Sequence, residues 1–211
     1  FRMLEGEYKM MGLAPYGNPS FKNLIKDNLI KIFDDGSFQL NMDYFNYATG
    51  LTMTNERFNK LFGGEPRKSE TDITQREMDI AASIQKVTEE IVIKISKNIK
   101  KETNLKNICL AGGVALNCVA NGILAKEEVF ENIWVQPAAG DAGGALGAAL
   151  SVWYLYYSKE RLLSKARDYM KGSYLGPSYK TNQIESELNA CGAIYTILDN
   201  ESLLEKVVLE L

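Results

Sequence analysis

Two short apolar runs each break into glycine and then open onto a helix-like segment: "NICLAGGVALNC" (107–118) and "NIWVQPAAGDAGGALG" (132–147). A strand that turns through glycines into a helix, twice within about forty residues, leaves few folds open. The strands are short and apolar, so they belong in a buried layer with helices on its faces. The pattern predicts strands over 107–113 and 132–137. It predicts a small-residue helix over 115–127 and an apolar helix over 142–158.

The upstream sequence fits such an α/β layer. Ile73, Ile80, Ile84, Val87, Ile91, Ile95 and Ile99 recur near helical spacing, which predicts one long helix over about 73–101. Asp72 with Gln75 fits its N-cap and N3 pattern. "DDGS" (34–37) predicts a hairpin between Ile30–Phe33 and Phe38–Leu40. Helical spacing precedes it from Asn23 to about Leu29, and a helical turn is expected around 6–12. Further on, "GSYLGPSY" (172–179) reads as a linker. A short helix over 182–191, capped by Asn182 with Glu185, a strand at "AIYTIL" (193–198) and a helix from Glu201 follow.

Composition excludes several classes. A net charge of −3, with 45% hydrophobic and 24% charged residues, is that of an ordinary globular protein and does not favour nucleic acid. The five lysines of residues 94–106 read as a solvated helix end. No apolar run reaches the roughly 18 residues of a membrane helix. Cys109, Cys118 and Cys191 show no C-x-x-C spacing, which points to a reducing, cytoplasmic setting. Cys109 and Cys118 are expected in the core, and Trp134 and Trp153–Tyr157 in the core or at a domain interface. Histidine is absent. The chain opens at Phe1, and a piece of a larger protein is expected.

Gly112 and Gly113 either let a phosphate approach the helix start or simply permit a tight turn, and spacing does not choose. Neither a Walker loop nor G-x-G-x-x-G is present. Asn117 is placed either to bond a nucleotide or to serve a helix start. Asp141 is either the N-cap of its helix, bonding the N–H groups of 143 and 144, or the anchor of a cation. Two glycine-rich helix starts, one carrying an acid, suggest a cleft for a nucleotide with a metal.

Three blocks in order, "GEYKMMGLAPYG" (6–17), "LAGGVALNCVANG" (110–122) and "QPAAGDAGGALGAA" (136–149), resemble the O-carbamoyltransferases of the nodulation and antibiotic-tailoring type. "YLGPSY" (174–179) resembles the entry to their C-terminal domain. The resemblance implies an actin/Hsp70/sugar-kinase (Kae1-like) lobe, with a mixed sheet flanked by helices. Residues 1–172 would be the second half of that domain, and 173–211 a linker with the beginning of a YrdC-like domain. It also implies a reaction. Carbamoyl phosphate and ATP give carbamoyl-adenylate, whose carbamoyl group passes to a hydroxyl of a sugar or natural product beside a divalent metal, iron or a related ion.

By the same resemblance Asp141 matches a metal-binding aspartate, Gly112, Gly113 and Asn117 a nucleotide-binding segment, and Gly143 and Gly144 positions beside the phosphates. Lys9, Gly12 and Tyr16 lie in a signature loop that either touches the adenylate or acceptor or only buttresses the fold.

The family's metal histidines are missing here, so residues 1–211 alone are expected to be inactive and to bind metal weakly or not at all. Exposed apolar surface on such a part-domain favours a homodimer. Other enzymes of the same fold remain alternatives, a sugar kinase or the tRNA threonylcarbamoyladenosine enzyme, as does a non-catalytic nucleotide- or partner-binding module.

Overall fold

The long helix is the spine on which the rest is laid. A computed structural model describes residues 6–68, 70–161 and 170–211; residues 1–5 of the expected N-terminal loop lie outside them. In chain order the first unit contains α1 (Glu7–Leu13), a 3-10 turn (Ala14–Tyr16), α2 (Lys22–Asn28), β1 (Ile30–Ile32), β2 (Phe38–Leu40), a 3-10 turn (Met42–Tyr44) and α3 (Glu56–Leu61). Helix α4 (Gln75–Thr103), β3 (Asn107–Leu110), α5 (Cys118–Lys126), β4 (Asn132–Val135) and α6 (Asp141–Ser151) complete it. Residues 1–162 and 163–211 form two compact units. The second holds α7 (Thr181–Ala190) and α8 (Asn200–Glu210).

Helix α4 starts two residues later than the sequence predicts, because Thr74 and Glu77 supply its cap instead of Asp72 and Gln75. The Thr74 N–H and hydroxyl donate to Glu77 Oε2 at 2.9 and 2.6 Å, satisfying a helix start reciprocally. At the other end Asn104 takes a left-handed conformation, φ 52°, a common way to stop a helix. The apolar and small face between them packs against α1, α2, the 3-10 turn after α1, and α5.

The core sits on the first half of this spine: Ile25, Leu29, Ile30, Phe62, Val87 and Ile91. Each such side chain, fully buried, contributes about 1.5–3 kcal/mol. Phe62 also stacks against Phe58 at 4.6 Å and edge-on against Phe21 at 5.5 Å. The hairpin β1–β2 forms as expected, antiparallel with Ile30 opposite Leu40. Its turn is fixed by Asp35 Oδ1, which accepts from the Ser37 N–H and hydroxyl at 2.9 and 2.6 Å. Gly36 carries φ +88°, and a Cβ there would overlap the backbone of Ile95 on α4, so the tip packs backbone to backbone.

Strands β3 and β4 pair in parallel, with Asn107 opposite Asn132 and Leu110 opposite Val135. They make a sheet of two strands, separate from the hairpin. Helix α5, in the crossover between them, packs on α4 and is anchored by Ala120 and Leu124, both fully buried.

Several expectations are corrected here. The strands are not buried on both faces. Ile108, Leu110, Ile133 and Val135 are half-buried, whereas Cys109 and Trp134 are exposed. Strand alternation puts Cys109 and Trp134 on one face, and that face is open. Helix α6 ends at Ser151 and continues as a π-helical turn, Val152–Tyr156, with no residue of either segment buried; Trp153 is therefore not core. Cys118 is exposed as well. In the second unit, α7 starts with Lys180 as N-cap, its N–H donating to Gln183 at 2.9 Å, not with Asn182 and Glu185. "AIYTIL" is not a strand, since alternation without a paired neighbour makes no ladder. Helix α3, in a stretch without clear periodicity, is capped by Asn55, which accepts from Arg57 and Phe58.

Candidate functional site

The two glycine-rich loops leave the same end of adjacent parallel strands, the carboxyl end, where open α/β sheets bind ligands. They are bonded to each other. The Gly112 N–H donates to Ala139 O at 2.8 Å, and the Gln136 N–H donates to Leu110 O at 3.0 Å. Gly112, Gly113, Asp141, Gly143 and Gly144 are thereby brought to one loop cluster.

The glycines divide by what surrounds them. Gly112 has φ +101°, a conformation L side chains rarely adopt, so the turn itself needs it. Its N–H is also spent on Ala139. A Cβ at Gly143 would overlap the Ala138 carbonyl, so the second loop needs that position small. Gly113 and Gly144 meet no protein atom within 4 Å of a built Cβ. These two leave open space beside the starts of the 3-10 turn Gly113–Leu116 and of α6, whose first two N–H groups have no acceptor within their own helix; the third ones, of Ala115 and Gly143, donate to Gly112 O and Gly140 O at 2.9 and 3.0 Å.

Asp141 is not the N-cap of α6. Gly140 holds that position in extended conformation and Asp141 is the first helical residue. Its carboxylate is exposed, where the helix dipole favours a negative charge. Among the described residues no group of three or more Asp, Glu, Cys or His stands close enough to hold an ion. One exposed carboxylate does not fit a divalent metal site by itself.

Asn117 is engaged at a helix start. It caps α5, its Oδ1 accepting from the Ala120 N–H at 3.0 Å. The rest of its amide pairs with Gln85 on α4. Asn117 Nδ2 donates to Gln85 Oε1 at 2.9 Å, and Gln85 Nε2 donates back to Asn117 Oδ1 at 3.1 Å. Gln85 and its neighbour Glu89 are buried and are missed by sequence reasoning. The signal for them is two polar residues, four apart, interrupting the apolar face of a helix.

The signature helix α1 turns Met10 and Leu13 inward. With Ile73, Glu77, Ile80 and Ala81 they line a cleft of about 270 Å³. Lys9, Gly12 and Tyr16 are exposed; the Lys9 ammonium lies 5.7 Å from the Tyr8 ring centre. At the cleft, burial pushes the Glu77 carboxyl up, but hydrogen bonds from Thr74 and from the Arg76 guanidinium outweigh it and hold it at about 2. The cleft and the Asn117 contact both fall on one stretch of α4, from Glu77 to Gln85, about 12 Å of helix.

No helix among the described residues is long and apolar enough to cross a membrane. Against known proteins, the chain is 57% identical over 98% of its length to an uncharacterised protein of Synechocystis sp., covering 34% of that protein. It is 37% identical to nodulation protein NolNO of Sinorhizobium fredii, over 88% of this chain and 25% of the relative. To nodulation protein NolO of Bradyrhizobium diazoefficiens it is likewise 37% identical, over 87% and 31%. The chain thus spans about a third or less of the curated relatives it matches. The family model described as carbamoyltransferase N-terminus matches residues 1–150, and on that match the chain belongs to the carbamoyltransferase N-terminal family.

Proposed function

We propose that this chain is the nucleotide-holding part of an ATP-dependent O-carbamoyltransferase with an actin/Hsp70/sugar-kinase type of lobe. The observation that carries this reading is the hydrogen-bonded pair of glycine-rich loops at the ends of β3 and β4, joined by Gly112 and Ala139. The open space at Gly113 and Gly144 receives the phosphate of carbamoyl-adenylate. The leading N–H groups of the 3-10 turn and of α6 face that phosphate, as helix starts do toward anions.

In the transfer, a hydroxyl oxygen of a sugar or natural product attacks the carbamoyl carbon. The C–O bond to the phosphate breaks, AMP leaves, and the hydroxyl proton is lost. Fixed donors lower the barrier by stabilising charge on the departing phosphate and by holding the reactants in place. Asp141 contributes one carboxylate to the implied site for iron or a related divalent ion. That is too few ligands to hold an ion without others, so the stabilisation is assigned to backbone donors. Lys9, Gly12 and Tyr16, exposed on the signature segment, are assigned to meet the acceptor. Three free, exposed cysteines support a reducing, cytoplasmic setting.

The test is transfer of labelled carbamoyl phosphate, with ATP, to a panel of sugar and polyol hydroxyls by the complete polypeptide that carries residues 1–211. The expected result is an ATP-dependent carbamate ester with release of AMP. Replacing Gly113 by valine fills the space beside the phosphate and is expected to lower turnover by about a hundredfold. ATP-independent transfer, or unchanged turnover in the Gly113→Val variant, refutes the reading.

A further inference from the structure

We infer that Gln85 and Glu89 are positioning residues which set the glycine loop 112–117 through Asn117, an inference that rests on the nucleotide reading above.

The geometry is a directed chain of bonds. Lys86 Nζ donates to Glu89 Oε2 at 2.7 Å, and Glu89 Oε1 accepts from Gln85 Nε2 at 3.1 Å. Gln85 then exchanges two hydrogen bonds with Asn117, whose Oδ1 caps α5 at Ala120. A carboxylate only accepts, so Glu89 dictates that Gln85 turns its nitrogen toward it. With Gln85 so fixed, its oxygen is left for Asn117 Nδ2. Asn117 must then aim its own oxygen at the Ala120 N–H. Reversing either amide would set oxygen against oxygen or N–H against N–H at one step of the chain.

Why keep such a chain? Buried polar groups are costly unless paired, and an apolar pair packs a helix face as well or better. Helix α4 already buries Ala81, Ala82, Val87 and Ile91 on its packed face, so these amides and the carboxylate are not needed to dock it. What they add is direction. They tie the residue that ends the Gly113–Leu116 turn and starts α5 to a fixed point on the spine. Small misplacement of a binding loop is expensive in affinity, and residues behind it commonly tune it by an order of magnitude.

The experiment uses the full 211-residue chain, with AMP as the probe in calorimetry and amide hydrogen exchange as a second readout. In Gln85→Leu, exchange at Ala115, whose N–H donates to Gly112 O, and at Ala120 is expected to rise about tenfold, AMP affinity to fall about tenfold, and exchange at Ile25 and Phe62 to stay unchanged. A merely structural role would raise exchange at the core amides as well.

The conservative variant Glu89→Gln is the control. Its amide oxygen still accepts from Gln85 Nε2, leaving Gln85 and Asn117 in their native orientation, so affinity and exchange stay within about threefold of the parent. Gln85→Glu does the reverse: its carboxylate sets oxygen against Glu89 and against Asn117 Oδ1, and both readouts change at least as much as in Gln85→Leu. If Gln85→Leu changes neither readout, or Glu89→Gln behaves like Gln85→Leu, the inference is overturned. Should Gln85→Leu not fold, Gln85→Glu decides by the same readouts. If the parent chain binds no AMP, the nucleotide reading loses its support, and exchange at Ala115 and Ala120 still decides the positioning role by itself.

Discussion

The hairpin end of the first unit and its strand–loop end are built on the same helix but held by different forces. Around Phe62 the chain is held by apolar burial: aromatic rings, aliphatic side chains and the first half of α4 close on each other. Around Gly112 burial is confined to α5 and a few residues beside it, such as Ala115, Phe130 and Ala139, and directed bonds add to it. The parallel ladder, the Gly112–Ala139 contact and the Gln85–Asn117 pair carry the connections there. Apolar surface is left open: Trp134 is 46% exposed and Leu155 77%. Parallel sheets normally have both faces covered, whereas here the face that carries Cys109 and Trp134 is open. The difference teaches where rigidity is stored. The glycine loops are set against a packed spine by a few directed contacts, and elements with little apolar burial open locally at low cost.

The largest effect expected from this contrast is in stability. Phe62→Ala removes a ring that is 3% exposed and should cost about 4 kcal/mol in urea unfolding. Leu146→Ala on α6, where no residue is buried, should cost less than about 0.5 kcal/mol. Comparable costs at the two positions would mean that α6 is packed in solution, and the contrast would fail.

Much of this was legible in the sequence, and the reasons differ by feature. The hairpin, the long helix, the parallel strands and the meeting of the two glycine loops follow from local periodicity and from strands too short and apolar to stand alone. The cap of α4 was not fixed locally, because Asp72 with Gln75 and Thr74 with Glu77 both fit the pattern. What favours Thr74 is tertiary: Arg76 bonds both Glu77 and the Glu65 carbonyl, at 2.8 and 2.7 Å. Asn117 was legible as a polar residue at a helix start, but its partner is 32 positions away, and spacing says nothing about that. Alternation separates Cys109 and Trp134 from Ile108 and Ile133 without saying which face is covered. Open space at Gly113 and Gly144 is likewise a property of neighbours, invisible in glycine's own spacing.

A middle-sized effect sharpens the packed side of the comparison through pH. The Glu77 carboxyl sits at about 2 in the folded chain against an ordinary 4.5. A lowered folded value means the carboxylate stabilises the fold fully above pH 4.5 and stops doing so as pH falls through 2. Glu77→Gln should therefore be less stable than the parent by about 1 kcal/mol at neutral pH. That gap should close between pH 5 and 2. A gap independent of pH would mean that Glu77 serves only as a neutral hydrogen-bonding group.

The smallest effect on stability tests the open side most directly. Cys109 lies opposite Trp134 in the ladder, and both are exposed. Cys109→Ser should therefore shift stability by less than about 0.5 kcal/mol. In the native chain a thiol reagent should label Cys109 as readily as Cys191, which is also free and exposed, because both sulfurs are open to the reagent. A chromophoric label at Cys109 should quench Trp134, its neighbour across the strands. Protection of Cys109 that disappears on dilution would instead show a second copy seated on this face, and burial would then hold both ends of the unit. Protection independent of concentration would mean that the face is closed within the chain, and the strand–loop end would lose its distinction from the packed one.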